Sequence, residues 1–269
     1  MQYEIAARLI SFFTIFLAMA CWELITPART LIIKRSIRWR SNLSLLVFNT
    51  LILRLAMPFS AVWLASYCAS NNLGLFNHLA LPSSLEIVLC VLLFDLAIYW
   101  QHVLFHALPF LWRFHKVHHA DIDFDVTTGN RFHTIEIILS MLFKFLLILM
   151  IGPSALAVVI FEIILNGMAM FNHSNIELPA KIDRYLRWII VTPNMHRIHH
   201  SIEQKEHRRN FGFNISIWDK LFRTYLENAA LDTKHMIIGL DEFNKANNQK
   251  LISMLKMPFA SHQSNQTKL

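Results

Sequence analysis

Ten of the fourteen histidines fall in four short groups, each at a spacing that suits metal coordination. In His102-Val-Leu-Phe-His106 the two imidazoles are four residues apart, so on a helix they share one face and can point at one ion. His115-Lys-Val-His118-His119 places three within about one turn. His133 follows alone in Asn-Arg-Phe-His. The last group joins His173 to His196-Arg-Ile-His199-His200, which repeats the His-x-x-His-His spacing. Neutral imidazole is the commonest protein metal ligand. Burying this many beside apolar segments without a common partner leaves many polar groups unsatisfied, and a metal supplies that partner. Ten ligands exceed the needs of one ion and suit two, with a position open for oxygen or water. All-nitrogen ligation accommodates iron, zinc, copper and nickel alike, so spacing leaves the metal open. His78, His207, His235 and His262 are read as ordinary hydrogen-bonded histidines.

The elements that must position these side chains are apolar helices. Apolar residues make up 55% of the 269-residue chain and mean hydropathy is +0.40, with long charge-poor stretches that a soluble core would not require. Three stretches approach the length of a span, Ile5 to Ile25, Leu43 to Cys68 and Leu85 to Leu108. The first is expected to remain as an anchor, since it lacks the pattern of a cleaved leader. A fourth, Ile135 to Phe171, is too long for one span and is broken at Gly152-Pro153, which predicts a membrane hairpin. The loop after the first stretch carries Arg29, Lys34, Arg35, Arg38 and Arg40, whereas Ala69 to Ser84 carries no charged side chain. The first loop is therefore expected in the cytoplasm, and threading the chain onward brings both histidine-rich regions to that same side. The expected fold is an all-α integral-membrane bundle, multi-pass, with about four spans or three spans plus a helical hairpin. A cytoplasmic helical cap carries the histidine-rich dimetal site. Residues 1–101 are read as N-terminal membrane helices and 102–228 as the histidine-rich catalytic region including the 135–171 hairpin. Residues 229–269 read as a cap helix, amphipathic between Asp241 and Met257, followed by ten disordered residues.

Cys21, Cys68 and Cys90 lie in apolar stretches without a Cys-x-x-Cys pair and are read as packing residues. The net charge of +7 lies beside apolar segments, where anionic headgroups are a more natural partner than nucleic acid. Asp95, Tyr99, Glu136, Asn172 and Asp219 are candidates to orient the metal-binding imidazoles from behind. Arg54 and Asp95, both inside apolar segments, are candidates to pair with each other or to line a wet pocket. Glu162 and Asn166 read equally as packing or substrate-facing groups.

At the histidines the chain resembles the fatty acid hydroxylase superfamily, also called the sterol desaturase family, of membrane di-iron oxidases. The phrases that carry the likeness are Trp112-Arg-Phe-His-Lys-Val-His-His119, Asn172-His-Ser-Asn-Ile176, Thr192-Pro-Asn-Met-His-Arg-Ile-His-His-Ser201 and Trp218-Asp-Lys-Leu-Phe-Arg-Thr-Tyr225. They lie within roughly Phe94 to Tyr225. The resemblance implies that all ten histidines bind two iron ions and that dioxygen is the co-substrate. The implied reaction is hydroxylation or desaturation of a lipid such as a sterol, fatty acyl chain, carotenoid or alkyl lipid. Unactivated C–H bonds offer acid–base or nucleophilic groups nothing to grip, which agrees with a redox metal. A membrane metal transporter and a zinc-dependent membrane hydrolase are the alternatives. With no nucleotide fingerprint, cysteine cluster or fused His-Pro-Gly-Gly segment, electrons must come from a separate transfer protein. Lys116, Arg197, Lys205, Arg208 and Arg209 are candidates to dock it. Two positions depart from the family pattern: Thr134 follows His133 where proline is common, and Arg223 stands where glycine is frequent.

Overall fold

A computed structural model describes residues 2–260, and the described residues form helices and turns with three isolated β-bridges and no sheet. The expected disordered tail, with His262, lies outside them save for residue 260. Long apolar helices are α1 (Gln2–Ile25), α2 (Arg35–Ala56), α4 (Ser83–Ala107), α6 (Thr134–Ile151) and α7 (Ala155–Asn172). Between α2 and α4 lies the shorter α3 (Ala61–Ser70). Among the described residues, five apolar helical runs reach the length needed to cross a membrane, α2 and α3 together counting as one. Outward-facing Phe13, Leu17, Leu51, Leu55, Leu142 and Leu146 are exposed, as a surface bathed in lipid requires.

The Leu43 to Cys68 stretch is not one helix. It begins earlier, at Arg35, and stops at Met57 before Pro58, which cannot continue the backbone ladder; Ser60 then caps α3 by accepting from the Trp63 amide at 3.1 Å. The hairpin forms as its sequence predicts. Gly152 takes the left-handed conformation (φ 67°) at the end of α6, and the Ser154 hydroxyl caps α7. α3, α4, α6 and α7 share the main apolar core, built on Ala65, Cys68, Cys90, Phe94, Ile148 and Phe161. Cys68 and Cys90 are packing residues as expected, whereas Cys21 is exposed on α1.

The bundle has two distinct ends. Gly74, in the uncharged loop, packs so closely on Gly152 that a Cβ would meet its backbone at 2.4 Å. At the other end the first loop meets the segment after α7, where the Arg29 amide donates to Asn175 Oδ1 at 3.0 Å. The ends of α4 and α7, the start of α6 and the short helix α5 (Pro109–His119) gather there too. The threading from loop charge therefore brings the right segments together.

Residues 120–133, between α5 and α6, are held by buried polar bonds that residue spacing does not reveal. Arg38, one of the loop charges expected to orient the bundle, is buried. Its guanidinium pairs with Asp121, with Asp125 at 3.0 Å and with Thr128 Oγ1 at 3.1 Å. Asp123 accepts from the Ile32 and Ile33 amides at 2.9 and 2.8 Å, and Glu23 from the Val126 and Asn175 amides at 2.7 and 2.8 Å. Arg131 donates to the Val117 carbonyl at 2.8 Å and to Gln249 at 2.6 Å, tying the loop to α5 and to the C-terminal segment. That segment is not one amphipathic helix. It consists of 3-10 turns, Asp241–Phe243, Ala246–Gln249 and Met257–Phe259, around a single helical turn and a half, Leu251–Lys256, whose Met254 packs with Leu45 and Val117.

Candidate metal centre

Each histidine-bearing element is short or terminal, and local sequence explains why it forms. α5 starts with Pro109 at its first helical position, where a missing N–H costs nothing. His115, His118 and His119 follow on its buried side. After α8 (Ala180–Leu186), α9 (Pro193–His199) repeats this start: Thr192 caps it by accepting from the Met195 amide at 3.3 Å, and Pro193 sits at N1. A helix of seven residues has little stability of its own. Arg197 holds it in place, donating to Asn194 Oδ1 at 2.6 Å and to the Ser174 carbonyl at 3.3 Å. On the opposite wall Gly129 lies so close to α7 that a Cβ would meet the Ala169 carbonyl oxygen at 2.5 Å. Only glycine admits that approach beside His173.

Nine of the ten expected imidazoles converge, in two groups. His102, His106, His115, His119 and His199 form one and His118, His173, His196 and His200 the other, with the candidate ligand atoms of each group within 4.8 Å of one another. Adjacent residues serve different groups: His118 and His119 diverge, as do His199 and His200, because successive helical side chains point about 100° apart. The groups sit back to back, the His119 and His200 rings stacked at 4.4 Å.

The tautomers can be deduced. Carbonyl oxygens only accept, so Nδ1 carries the proton in His102 (to Phe211 O, 2.8 Å), His199 (to Arg209 O, 2.8 Å) and His173 (to Ala169 O, 2.7 Å). In the neutral rings Nε2 is then bare. Yet His102 Nε2 and His199 Nε2 lie 3.0 Å apart, and His173 Nε2 lies 3.0 Å from both His118 Nε2 and His196 Nε2. Burial holds these rings neutral, depressing His115 to about 3 and His173 to about 4, and His119, His199 and His200 well below the usual histidine range. The bare Nε2 atoms of His102 and His199 repel at that distance unless a cation lies between them. Both ring nitrogens of His200, Nδ1 of His118, His119 and His196, and Nε2 of His106 are buried without a hydrogen-bond partner among the described residues. This donor set fits two first-row metal ions.

His133 is not brought to either group. Its Nδ1 caps α6 by accepting from the Ile135 amide at 3.2 Å, and its Nε2 faces the Leu255 carbonyl at 3.3 Å. An imidazole used as a helix cap at the outer edge of α5 points away from the centre. Conversely His207, read as ordinary, lies 4.6 Å from the His119 ring and 4.8 Å from His106, parallel to His199. It belongs to the four-residue helix α10 (Gln204–His207), beyond the repeated motif, so spacing could not reveal it.

Of the five residues expected behind the ligands, only Glu136 touches one, hydrogen-bonded to His115 Nδ1 at 2.6 Å. The others act on residues 211–218. Asp219 accepts from the Phe211 and Gly212 amides at 2.8 and 2.7 Å, and Tyr99 reaches it through Thr224. Asp95 accepts from the Asn214 and Ile215 amides and from Trp218 Nε1, and Asn172 donates to the Phe213 carbonyl at 2.5 Å. They position the carbonyl that orients His102. Asp95 therefore does not pair with Arg54, which lies on the exposed side of α2. The two departures also gain reasons. Thr134 replaces a helix-starting proline but donates to Asn49 Oδ1 at 2.6 Å, and Arg223 occupies a left-handed φ of 61°, the conformation glycine adopts without strain. It lies just past α11 (Ile217–Leu221).

Cavities meet the centre from opposite sides. A largely apolar cavity of about 270 Å³ runs from His102, His115, His118 and His196 into the bundle between α2, α4, α6 and α7. On the far side a polar recess of about 380 Å³ meets His106 beside Trp112, His207, Arg208 and Glu242. Among the docking candidates, Arg208, Arg209 and Lys205 are exposed. Lys116 and Arg197 are buried and cannot meet a partner: Lys116 lies 3.7 Å from Glu242 and over the Phe243 ring, and Arg197 holds α9.

Residues 87–224, about half of the chain, match the family model for fatty acid hydroxylase. An ornithine lipid hydroxylase of Rhizobium tropici is 28% identical over 54% of this chain and 43% of its own length. An alkylglycerol monooxygenase of Danio rerio is 32% identical over 61% of this chain and 35% of its own, and a cholesterol 25-hydroxylase of Rattus norvegicus 28% identical over 52% and 46%. The match thus spans less than half of each of these relatives. No solved structure matches the chain.

Proposed function

Since the chain belongs to the fatty acid hydroxylase family, we propose that it is a membrane oxygenase that binds two iron ions and oxidises a C–H bond of a lipid by hydroxylation or desaturation. The observation that carries this reading is the apolar cavity ending on two groups of buried, neutral imidazoles. Iron held there would supply the activation of dioxygen that an unactivated C–H bond requires. The chain's own residues do the rest. His102, His106, His115, His119 and His199 would hold one ion and His118, His173, His196 and His200 the other. Glu136 and the Phe211, Arg209 and Ala169 carbonyls fix the ring tautomers so that Nε2 faces inward. The cavity wall, with Leu46, Phe105 and Ile137, excludes water and holds the chain to be oxidised.

Protein purified in mild detergent from iron-supplied cells should carry two irons per chain, coupled in Mössbauer spectra. Lipid extracts of expressing cells should contain a product that disappears without oxygen. Two zincs and an oxygen-independent product would replace this reading with hydrolysis. The loop charges further support placing the metal end of the bundle on the cytoplasmic side.

A separate reductant is part of the proposal. Arg208 lines the polar recess with His106 and His207, Arg209 follows it, and the Arg209 carbonyl itself orients His199. Reversing both arginines to glutamate should raise the apparent Michaelis constant for an acidic electron donor about tenfold or more at low salt, with metal content unchanged. An unchanged constant would remove this surface from consideration.

A further inference from the structure

The cavity is apolar along most of its length, but it ends on charge. Lys144 of α6 lines it eight residues beyond Glu136, so about 12 Å farther along the helix axis. Asn166 of α7 lines it seven residues before His173, about 10 Å from the metal level. Lys144 Nζ donates to Glu162 Oε1 at 2.8 Å, and the second oxygen of Glu162 lies 3.1 Å from Arg8 of α1. Arg8 in turn meets Glu4 at 3.4 Å. Asn166, which lines the cavity, donates from Nδ2 to the Glu162 carbonyl at 2.8 Å, and that bond leaves its Oδ1 and one N–H unused.

Ionised side chains inside an apolar span are costly, and helix packing alone is served better by apolar residues. Their position at the foot of the cavity gives them a use. The two cations and two carboxylates cancel, so no positive charge is left over for an anionic lipid. What remains on offer is hydrogen bonding, from the further N–H groups of Lys144 and from the Asn166 amide. A hydroxyl or carbonyl at this depth meets no water and would otherwise lose its partners.

We infer that Lys144 and Asn166 bind the uncharged polar group of a lipid that enters with its reacting end toward the histidines, and so set which carbon is oxidised. This rests on the oxygenase reading for the word oxidised; the binding itself does not. The substrate class is a lipid with a single hydroxyl or carbonyl remote from the reacting carbon, in preference to a plain hydrocarbon or a fatty carboxylate. A polar group held about 10–12 Å from the metal level places oxidation on the opposite part of the molecule.

The test compares binding of 1-dodecanol, dodecane and dodecanoate to the purified, metal-loaded protein in detergent, by displacement of a fluorescent fatty probe. Wild type should bind the alcohol at least tenfold more tightly than the alkane and more tightly than the anion. Asn166→Leu, which leaves the Lys144–Glu162 pair in place, and Lys144→Met should each reduce the alcohol's advantage to threefold or less with the metal content of wild type. No preference in wild type, a preference that survives both variants, or tighter binding of dodecanoate overturns the inference. If the preference is found but no lipid is oxidised, the anchor stands and the oxygenase reading falls.

Discussion

Replacing His106 or His173 by alanine is expected to remove one metal ion per chain each, from different groups, whereas His118→Ala/His119→Ala removes both. His106 belongs to the group with His199, and His173 to the group with His196 and His200, while the adjacent pair on α5 contributes one imidazole to each. A group that loses one of its four or five ligands leaves a neighbour such as His199 Nε2 facing His102 Nε2 at 3.0 Å without its cation. Metal analysis per chain after gel filtration reads the result directly. Oxidation of the lipid substrate should fall by about three orders of magnitude or more in every variant, since one ion cannot replace the pair. Equal loss of both metals from the two single variants would mean that the groups do not bind independently. Retention of both ions in the His118→Ala/His119→Ala protein would refute the assignment of ligands altogether.

Arg38→Met is expected to be the most damaging substitution outside the histidines. The guanidinium is 1% exposed and faces Asp121 and Asp125, which are completely buried. Burial and the neighbouring Arg38 pull in opposite directions on the Asp125 carboxyl, and Arg38, with the Thr127 hydrogen bonds, wins, holding it below the usual carboxylate range. Removing one partner of such a pair leaves the other charge buried and uncompensated, at a cost of about 3–5 kcal/mol. The damage is expected to propagate to the centre, because residues 120–133 link α5, which carries three of the proposed ligands, to α6, which carries Glu136. Thermal unfolding in detergent should show a lowered midpoint and the purified protein should be short of metal. Arg38→Met/Asp121→Asn/Asp125→Asn, which removes the orphaned charges along with the cation, should recover part of the loss. A single variant that melts with wild type would show that this network is dispensable.

Much of the fold is legible in the order of residues. Apolar length and the Gly152-Pro153 break predict α1, α4 and the α6–α7 hairpin, because helix length and helix termination are properties of short stretches of chain. Loop charge also predicts which ends lie together. The break at Pro58 is as local as the one at Gly152-Pro153, yet the run Leu43 to Cys68 is apolar enough to read as continuous. The C-terminal segment departs from its expected amphipathic helix for a different reason. Its conformation follows from docking on α2 and α5, with Gln249 bridging Arg131 and the Ala120 carbonyl, and not from its own periodicity.

The chemistry divides in the same way. Residue type and spacing by themselves determine that eight imidazoles, one pair and two triplets, are available on helix faces, with His133 and His173 standing alone, since the 3.6-residue period acts within a few residues. They do not determine which imidazole joins which. The division of His118 from His119 and of His199 from His200, the exclusion of His133 and the approach of His207 depend on where α4, α5, α7, α9 and α10 come to rest. So does the burial of Arg38 and of Arg197, both of which look like surface charges in the sequence. Those placements are decided by contacts between residues far apart in the chain, such as His102 with His199 and Arg38 with Asp121 and Asp125, and local spacing carries no information about such pairs.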